Sequence, residues 1–318
     1  MKIRLLITLI LLFVCGSALA ADLPGIPQFI DEMVAKHNFK REELELVFQR
    51  AEHRPDVIAA ISAPATLKPW VEYRASFINP LRIDGGVEFW KLHAETIKRA
   101  EKQYGVPQEI IIAVIGVETL YGRRAGRHRA LDALTTLVFD YPRRVEFFRN
   151  ELVEYLLLAR EQSFDLLEIK SSYAGALGIP QFMPSSYRKY AVDFNGNGKV
   201  DLLLEPEDAI GSVANYLKQY GWKTGEPVAH LATVSATFAS AVPEARTLAA
   251  WAGSGVVPAT KPQGAMPPAW LLDFTVETGK EYWLTYNNFR VITLYNNSNF
   301  YAMSVLQLAE AVRAAKAQ

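Results

Sequence analysis

The feature of this sequence that most limits its fold is a long apolar run, Ile110 to Gly122, which contains one charged residue, Glu118. Pro107 suits the first turn of a helix, because its missing N–H falls where no intrahelical partner exists, and Gly122 suits the far end. The run therefore predicts a helix that is buried on most of its faces, rather than a surface helix with one apolar stripe. We expect this helix to organise a mainly α-helical (α+β) fold.

Glu118 is a candidate general acid. Apolar surroundings disfavour the charged form of a carboxyl group, which raises its pKa and lets it donate a proton near neutral pH. The alternative is a structural Glu118 that forms an ion pair with an arginine in the core, because buried charges are usually paired.

The composition excludes some classes of protein. The chain has 318 residues, half of them hydrophobic, which is enough for one large domain or two moderate ones. Acidic and basic residues number 34 each, so we expect no nucleic-acid partner. The chain has one cysteine, Cys15, so an internal disulfide is excluded and the fold must rely on its packed core.

The first twenty residues have the layout of a secretory signal. Lys2 and Arg4 precede an apolar run, and an A-x-A cleavage pattern ends at Ala20. The alternative is a lipoprotein signal with lipid attached to Cys15, but Val14 stands where such signals normally carry Gly or Ala. We expect an exported monomer that meets the membrane only if Cys15 is lipidated.

The residue composition changes along the chain, and these changes predict where one region ends and the next begins. Glycine and proline separate short apolar runs such as Val228 to Ala232 and Leu271 to Val276, which predicts a β-rich insertion. An extended return, Arg290 to Leu294, and a last helix, Ala302 to Ala315, should follow. The predicted boundaries are a signal at 1–20, an N-terminal helical region at 21–75, a core at 76–221, the insertion at 222–288 and a C-terminal strand and helix at 289–318.

Three polar or aromatic features have two readings each. Gln181 lies in a segment rich in small residues, where its amide is suited to hold a sugar or to satisfy nearby backbone groups. Arg143 and Arg144 are typical of a solvated surface or of a site for an anion or sugar. Tyr73 forms a packing pair with Trp70, or it lines a cleft.

Two motifs together are specific. Glu118-Thr119-x-x-Gly122 is followed further along by Ser172 to Ser185, which reads SYAGALGIPQFMPS. They resemble the lytic murein transglycosylases, and within them the membrane-bound lytic murein transglycosylase B family, glycoside hydrolase family 103. The resemblance covers nearly the whole mature chain. It implies a lysozyme-like helical catalytic domain, a periplasmic location and peptidoglycan glycan strands as the partner.

The resemblance also implies roles for particular residues. Glu118 matches the catalytic acid of the family. The substrate-binding positions implied by the family are Tyr73, Arg143, Arg144, Ser172, Gln181, Tyr216, Tyr295 and Tyr301.

The family's reaction needs a single carboxyl group, whereas most glycosidases use two. In that reaction the acid protonates the oxygen between N-acetylmuramic acid and N-acetylglucosamine, and the muramyl 2-acetamido group assists. The same Glu then deprotonates the muramyl 6-hydroxyl, which attacks the anomeric carbon and leaves a 1,6-anhydromuramyl end. The sequence suits this scheme, because Glu118 is the one acid embedded in an apolar run, while Asp132, Asp140 and Glu146 have cap or surface positions.

A calcium-loop pattern, D-x-N-x-N-G, begins at Asp193. Leu204 occupies the twelfth position, where a Glu is usual, and the family's long EF-hand-like loop, 193–208, implies Asp208 as the last ligand. With amides at two positions, the site is suited to weak calcium binding or to sodium. A simple Asn-Gly turn is the alternative. The predicted ligands are Asp193, Asn195, Asn197, Lys199 through its carbonyl, and Asp208.

Two other functions compete with the transglycosylase reading, which needs no catalytic cofactor. A hydrolytic muramidase would cut the same bond with water. A non-catalytic wall-binding protein would use the same scaffold, with Glu118 as a structural acid.

Overall fold

The computed structural model describes residues 23–63, 68–236, 238 and 243–318. The predicted signal and Cys15 lie outside these residues. Within them the fold is mainly helical with small antiparallel sheets, as the sequence predicts.

The helices are α1 Ile26–His37, α2 Arg41–Gln49, α3 Pro55–Ser62, α4 Trp70–Phe77, α5 Pro80–Leu92, α6 Ala94–Tyr104, α7 Gln108–Thr119, α8 Ala130–Asp140, α9 Val145–Gln162, α10 Pro184–Tyr190, α11 Pro206–Gln219, α12 Leu248–Gly253, α13 Asn287–Tyr295 and α14 Asn299–Lys316. The strands are β1 His128–Arg129, β2 Lys170–Ser171, β3 Ala229–Val234, β4 Val256–Pro258, β5 Trp270–Val276 and β6 Gly279–Thr285.

Helix α7 lies at the centre of the main core. It begins after Pro107 and ends at Thr119, and the next residue, Leu120, turns the chain out of the helix with a φ of 52°. Every residue from Ile110 to Val117 is buried, and α14, α11, α5 and α6 pack around it. The prediction of a helix buried on most of its faces is confirmed.

The close packing of α5 against α7 depends on two glycines. A Cβ atom at Gly86 or at Gly116 would lie 2.5 Å from the Tyr121 Oη atom. The Tyr121 side chain therefore occupies the space between the two helices, and its Oη donates a hydrogen bond to the Arg82 carbonyl at 2.7 Å. This arrangement fixes the chain that leaves α7.

The β-rich insertion is a four-stranded antiparallel sheet in the order β4-β3-β6-β5. Strands β5 and β6 form a hairpin, paired from Trp270 with Thr285 to Val276 with Gly279. A second, smaller core packs on this sheet around Trp251. The two strands expected from the sequence are thus confirmed, as β3 and β5.

The prediction of an extended segment at Arg290 to Leu294 is wrong, because helix α13 occupies this segment. Its β-branched residues favour strands when considered alone. However, Phe289 and Ile292 are three residues apart and both are buried in the main core, and such packing outweighs local preference. The expected last helix is present as α14. In the parts of the chain that the structure describes, the helices fall short of the length and apolarity that crossing a bilayer requires.

Candidate active site

Glu118 lies in the last turn of α7, where it is partly exposed. Its Oε1 atom accepts a hydrogen bond from the Tyr301 Oη at 2.6 Å. Burial of the carboxyl raises the Glu118 pKa to about 7, and the Tyr301 hydrogen bond lowers it by less. Among the described residues no lysine or arginine forms an ion pair with Glu118. The alternative considered from the sequence, a Glu118 paired with an arginine in the core, is therefore not what these residues show.

The residue after the acid ties α7 to the second motif. The Thr119 Oγ1 donates to the Ile179 carbonyl at 2.7 Å and accepts from the Gly122 N–H at 2.9 Å. Thr119 is fully buried. Sequence reasoning did not select it as a site residue, although its place directly after Glu118 in the first motif was a signal. Its hydroxyl group fixes the end of α7 against the Gly178–Pro180 backbone.

The second motif is a compact series of turns before α10. The Ser172 Oγ accepts from the Ala174 and Ala176 N–H groups at 3.2 and 3.1 Å. Gly175 is required here, because a Cβ atom would lie 2.4 Å from Leu134 and φ is +85°. Ser172 therefore shapes the backbone of the turn.

Gln181 has the left-handed backbone conformation, with φ at 53°. Its Nε2 donates to the Gly178 carbonyl at 2.9 Å and to the Ala125 carbonyl at 3.1 Å. The two N–H groups of the amide thus satisfy backbone groups, which is the structural alternative considered for this residue. The side-chain oxygen is the group left to accept a hydrogen bond from a ligand.

Four predicted tyrosines gather around Glu118. The negative charge of Glu118 contributes to a raised pKa at Tyr73, Tyr216, Tyr295 and Tyr301, although burial is the larger cause at each. Tyr295 and Tyr301 stack with their rings 6.3 Å apart and 13° from parallel. The structure therefore brings the aromatic positions and the acid together.

These tyrosines are also held by the scaffold. The Tyr216 Oη donates to the Leu294 carbonyl at 2.8 Å, and the Tyr295 Oη donates to the Pro180 carbonyl at 2.5 Å. Tyr73 stacks on Trp70 with their rings 6.3 Å apart, so the packing pair considered from the sequence is present. The aromatic wall beside Glu118 is thus fixed by contacts at its outer edge.

Arg143 and Arg144 are exposed in the turn before α9. The Arg144 guanidinium lies 4.1 Å from the centre of the Phe147 ring. Its charge lowers the pKa of Glu151, although burial of that carboxyl raises the pKa more. Glu151 accepts hydrogen bonds from the N–H and Oγ of Ser185 at 2.9 and 2.6 Å. Arg144 is therefore connected through Glu151 to the end of the second motif, and not directly to Glu118.

The predicted calcium loop is folded around Asp193. Its carboxylate accepts hydrogen bonds from the N–H groups of Gly196, Asn197 and Gly198 at 2.7, 3.2 and 2.8 Å. The Lys199 N–H donates to the Asn197 Oδ1 at 2.9 Å. This hydrogen-bonded loop is more than a simple Asn-Gly turn.

The late acidic residues of the loop have different positions. Asp208 is fully buried, and its two oxygens accept from the Phe194 and Asp201 N–H groups at 2.7 and 2.8 Å. Glu205 instead lies beside the two amides, accepting from Asn195 at 2.5 Å and from Asn197 at 2.9 and 3.1 Å.

The oxygen donors of this loop fit calcium, a hard cation. Carboxylates alone cannot form the site, since no group of three or more His, Cys, Asp or Glu residues in the described chain is placed to hold a metal ion. The asparagine oxygens and the Lys199 carbonyl would have to complete the coordination. Glu205 is not among the ligands predicted from the sequence, because the family resemblance assigns the last ligand of the loop to Asp208.

Known proteins resemble this chain over most of its length. Residues 23–310 match the model of the transglycosylase SLT domain. The membrane-bound lytic murein transglycosylase B of Escherichia coli K12 is 45% identical over an alignment of 309 residues, which covers 94% of this chain and 85% of the relative.

Solved structures agree with the sequence match. The Escherichia coli lytic transglycosylase SLT35, determined with bulgecin A and with calcium, has a TM-score of 0.87 and 44% identity, covering 93% of this chain and 95% of that one. SltB3 of Pseudomonas aeruginosa, determined with NAG-anhNAM-pentapeptide, has a TM-score of 0.83 and 30% identity, covering 91% of this chain and 80% of that one. The lysozyme-like fold expected from the motifs is confirmed by the match to SLT35, and the chain belongs to the family of lytic transglycosylases that carry the transglycosylase SLT domain.

Proposed function

We propose that this protein cleaves the β-1,4 bond between N-acetylmuramic acid and N-acetylglucosamine in peptidoglycan and leaves 1,6-anhydromuramyl ends. The observation that most supports this proposal is the state of the Glu118 carboxyl group, which has a pKa of about 7 and lacks a cationic partner among the described residues. Membership of the lytic transglycosylase family supports the class of enzyme and the peptidoglycan substrate.

Glu118 acts first as an acid. At a pKa of about 7 it carries its proton in roughly half of the molecules at neutral pH, which suits protonation of the leaving glycosidic oxygen. The bond from the glycosidic oxygen to the muramyl anomeric carbon then breaks, and the N-acetylglucosamine leaves with the proton.

Glu118 acts next as a base. As the N-acetylglucosamine leaves in the first step, the muramyl 2-acetamido oxygen attacks the anomeric carbon from the opposite face and forms the new bond there. The resulting carboxylate of Glu118 then takes the proton of the muramyl 6-hydroxyl, whose oxygen displaces the acetamido group. Glu118 is protonated again at the end, so one group with a pKa near neutrality serves both steps.

The positions of the other acids support a single-carboxyl mechanism. Asp132 is held by Arg129 at 2.7 and 2.8 Å, and Asp140 contacts His53 at 2.8 Å. Glu151 is held by Ser185. These acids are therefore engaged by other groups rather than placed as a second catalytic carboxyl.

We assign the remaining candidate residues to binding of the sugars and the peptide. We assign the Gln181 side-chain oxygen and Ser172 to hydrogen bonds with the muramyl unit, and the tyrosines to its ring faces and hydroxyls. Arg143 and Arg144 would face the peptide carboxylates of the muropeptide, which suits exposed guanidinium groups. The proposed substrate-binding residues are Tyr73, Arg143, Arg144, Ser172, Gln181, Tyr216, Tyr295 and Tyr301.

A calcium ion, or sodium in its place, has a structural role in this proposal. The ligands proposed from the sequence are Asp193, Asn195, Asn197, the Lys199 carbonyl and Asp208. Because both Asp208 oxygens already accept backbone N–H groups, we add Glu205, whose carboxylate lies beside both amides, as the candidate to take its place as second carboxylate. The calcium complex of SLT35 supports such a site. The ion would stabilise the loop before α11 and take no part in the reaction.

We place the enzyme in the periplasm as a monomer, released from a cleaved signal at 1–20 and membrane-bound only where Cys15 is lipidated. The relative from Escherichia coli is named membrane-bound. The division proposed for the mature chain is 21–75, 76–221, 222–288 and 289–318, with the last part now two helices, α13 and α14.

The test is mass spectrometry of muropeptides released from purified peptidoglycan by the mature protein. The expected products are anhydro ends, one water lighter than hydrolysed ends, and their release should stop in Glu118→Gln. Glu109→Gln is a matched control, because Glu109 lies on the same helix but pairs with Arg313 at 3.0 Å. Hydrolysed ends would show a muramidase instead, and binding without release would show a wall-binding protein.

A further inference from the structure

A cavity of about 470 Å³ lies between α4, α14 and the β-rich sheet. This volume falls within the range of about 300–1,000 Å³ that small-molecule sites occupy. Its walls include Arg74 of α4, Trp283 of β6 and Gln307 of α14. The residues assigned to the reaction do not line it, although Arg74 follows Tyr73 directly and Gln307 lies less than two turns beyond Tyr301 on α14.

Gln307 is the feature of this cavity that most requires a ligand. Its side chain is 8% exposed, and its amide oxygen is buried without a hydrogen-bond partner among the described residues. A buried polar atom of this kind costs free energy unless something satisfies it. The Gln307 side-chain amide has an oxygen that accepts and an NH₂ group that donates. It is therefore suited to pair with a ligand group that both donates and accepts.

The remaining lining favours a neutral ligand with both apolar and polar faces. Arg74 and Glu281 form an ion pair across the cavity at 3.7 Å, and Glu310 adds a second carboxyl group. Two acids and one guanidinium offer acceptors and donors together, which suits a ligand that both donates and accepts hydrogen bonds.

An aromatic and an aliphatic side chain supply an apolar surface. Trp283 is 9% exposed and lines the cavity, with its indole N–H directed to Glu281 at 3.4 Å. Leu231, which is directly opposite Trp283 in the β3–β6 pairing, is 43% exposed. A pyranose ring has an apolar C–H face that packs on such side chains, and hydroxyls that both donate and accept at its edge.

We infer that this cavity is a second saccharide site, separate from Glu118, which binds an N-acetylhexosamine unit of a glycan strand. The acetamido group of the sugar has one N–H and one C=O, which match the amide of Gln307. The site would hold the enzyme on polymeric peptidoglycan while the catalytic cleft works. The inference rests on the proposed substrate, because it takes its ligand class from the same glycan.

The first test is a titration of the mature protein with N-acetylglucosamine tetramer, followed by NMR of the tryptophan indole N–H groups. The Trp283 signal, assigned with Trp283→Phe, should shift on titration. In Gln307→Ala the binding that this signal reports should weaken roughly five-fold, which corresponds to the loss of a neutral hydrogen bond. Arg74→Ala, on the more exposed rim, should weaken it as well, and Gln219→Ala, an exposed amide on α11, should leave it unchanged.

The second test compares insoluble peptidoglycan with a short soluble muropeptide. Gln307→Ala and Arg74→Ala should bind insoluble peptidoglycan less tightly and cut it several-fold more slowly, while their rates on the soluble substrate stay at the parent value. Glu118→Gln should do the reverse, retaining the binding and losing both activities.

These results separate the two proposals. A parent enzyme that releases anhydro ends, without a shift at Trp283 and without a difference between substrates in the variants, would overturn the second site alone. A parent that releases no anhydro ends from either substrate would overturn the proposed reaction. Thermal unfolding of each variant distinguishes loss of binding from loss of folding.

Discussion

At the scale of single residues, the reactivity of the site depends on the balance between burial and one hydrogen bond at Glu118. Burial holds the proton on the carboxyl, and the Tyr301 hydroxyl favours the charged form. The pKa of about 7 results from these opposing effects. A carboxyl poised near neutrality serves equally as acid and as base.

The first prediction concerns this hydrogen bond. Tyr301→Phe removes the contact that lowers the Glu118 pKa, so the fall of kcat/KM on the alkaline side should move to higher pH. The maximal rate should fall roughly ten-fold, since hydrogen bonds to charged groups contribute about 1.5–3 kcal/mol. Tyr295→Phe is the control, because the Tyr295 hydroxyl donates to Pro180 and not to Glu118. An alkaline limb that moves equally in both variants, or in neither, would contradict the account.

At the scale of elements, the sequence predicted individual helices and strands better than the contacts between them. The apolar run of α7 was evident because its apolar character is local, and so were the short apolar runs that form β3 and β5; the partner strand β6 was not predicted. The contact of Tyr301 with Glu118 joins residues 183 positions apart, so the sequence did not predict it; the family resemblance indicated Tyr301 only as a substrate-binding position. Residues in α13 favour a strand locally, and their helix depends on burial against distant elements.

The calcium loop is an element whose residues act in two ways. Asp193→Ala and Glu205→Gln should each lower the melting temperature more in calcium than in chelator, because an ion stabilises only the folded state that binds it. Asp208→Asn should lower stability by about 1–3 kcal/mol in chelator as well, because its buried oxygens accept backbone N–H groups. Thermal unfolding in the two conditions measures this, and equal losses for Asp193→Ala in both would count against a metal.

At the scale of the whole molecule, the catalytic acid is a cost to stability. The main core surrounds α7, and the protein holds the ionisable Glu118 at the edge of this core without a countercharge among its described residues. The unfolded chain would ionise Glu118 near the ordinary value of 4.5, whereas the folded chain holds the proton up to about 7. The folded state therefore binds more protons between these values.

The sign of the resulting pH dependence follows from this difference. The folded-state pKa is raised, so the contribution of Glu118 to stability is fully retained below about pH 4.5 and is lost as the pH rises to about 7. Glu118→Gln, which cannot ionise, should be more stable than the parent at pH 8, by about 3 kcal/mol at most, and should differ little at pH 4. Urea unfolding at the two pH values measures the difference. A gain of the same size at both would show that packing, and not charge, causes it.

The most direct test of the account is the pKa of Glu118 itself. It can be measured by following the carboxyl ¹³C signals of the mature protein labelled at glutamate, with Glu118→Gln used to assign the signal. We predict a midpoint near 7 for the parent enzyme, within about one unit. A midpoint near the ordinary value of 4.5 would contradict the claim that burial keeps this acid protonated for catalysis.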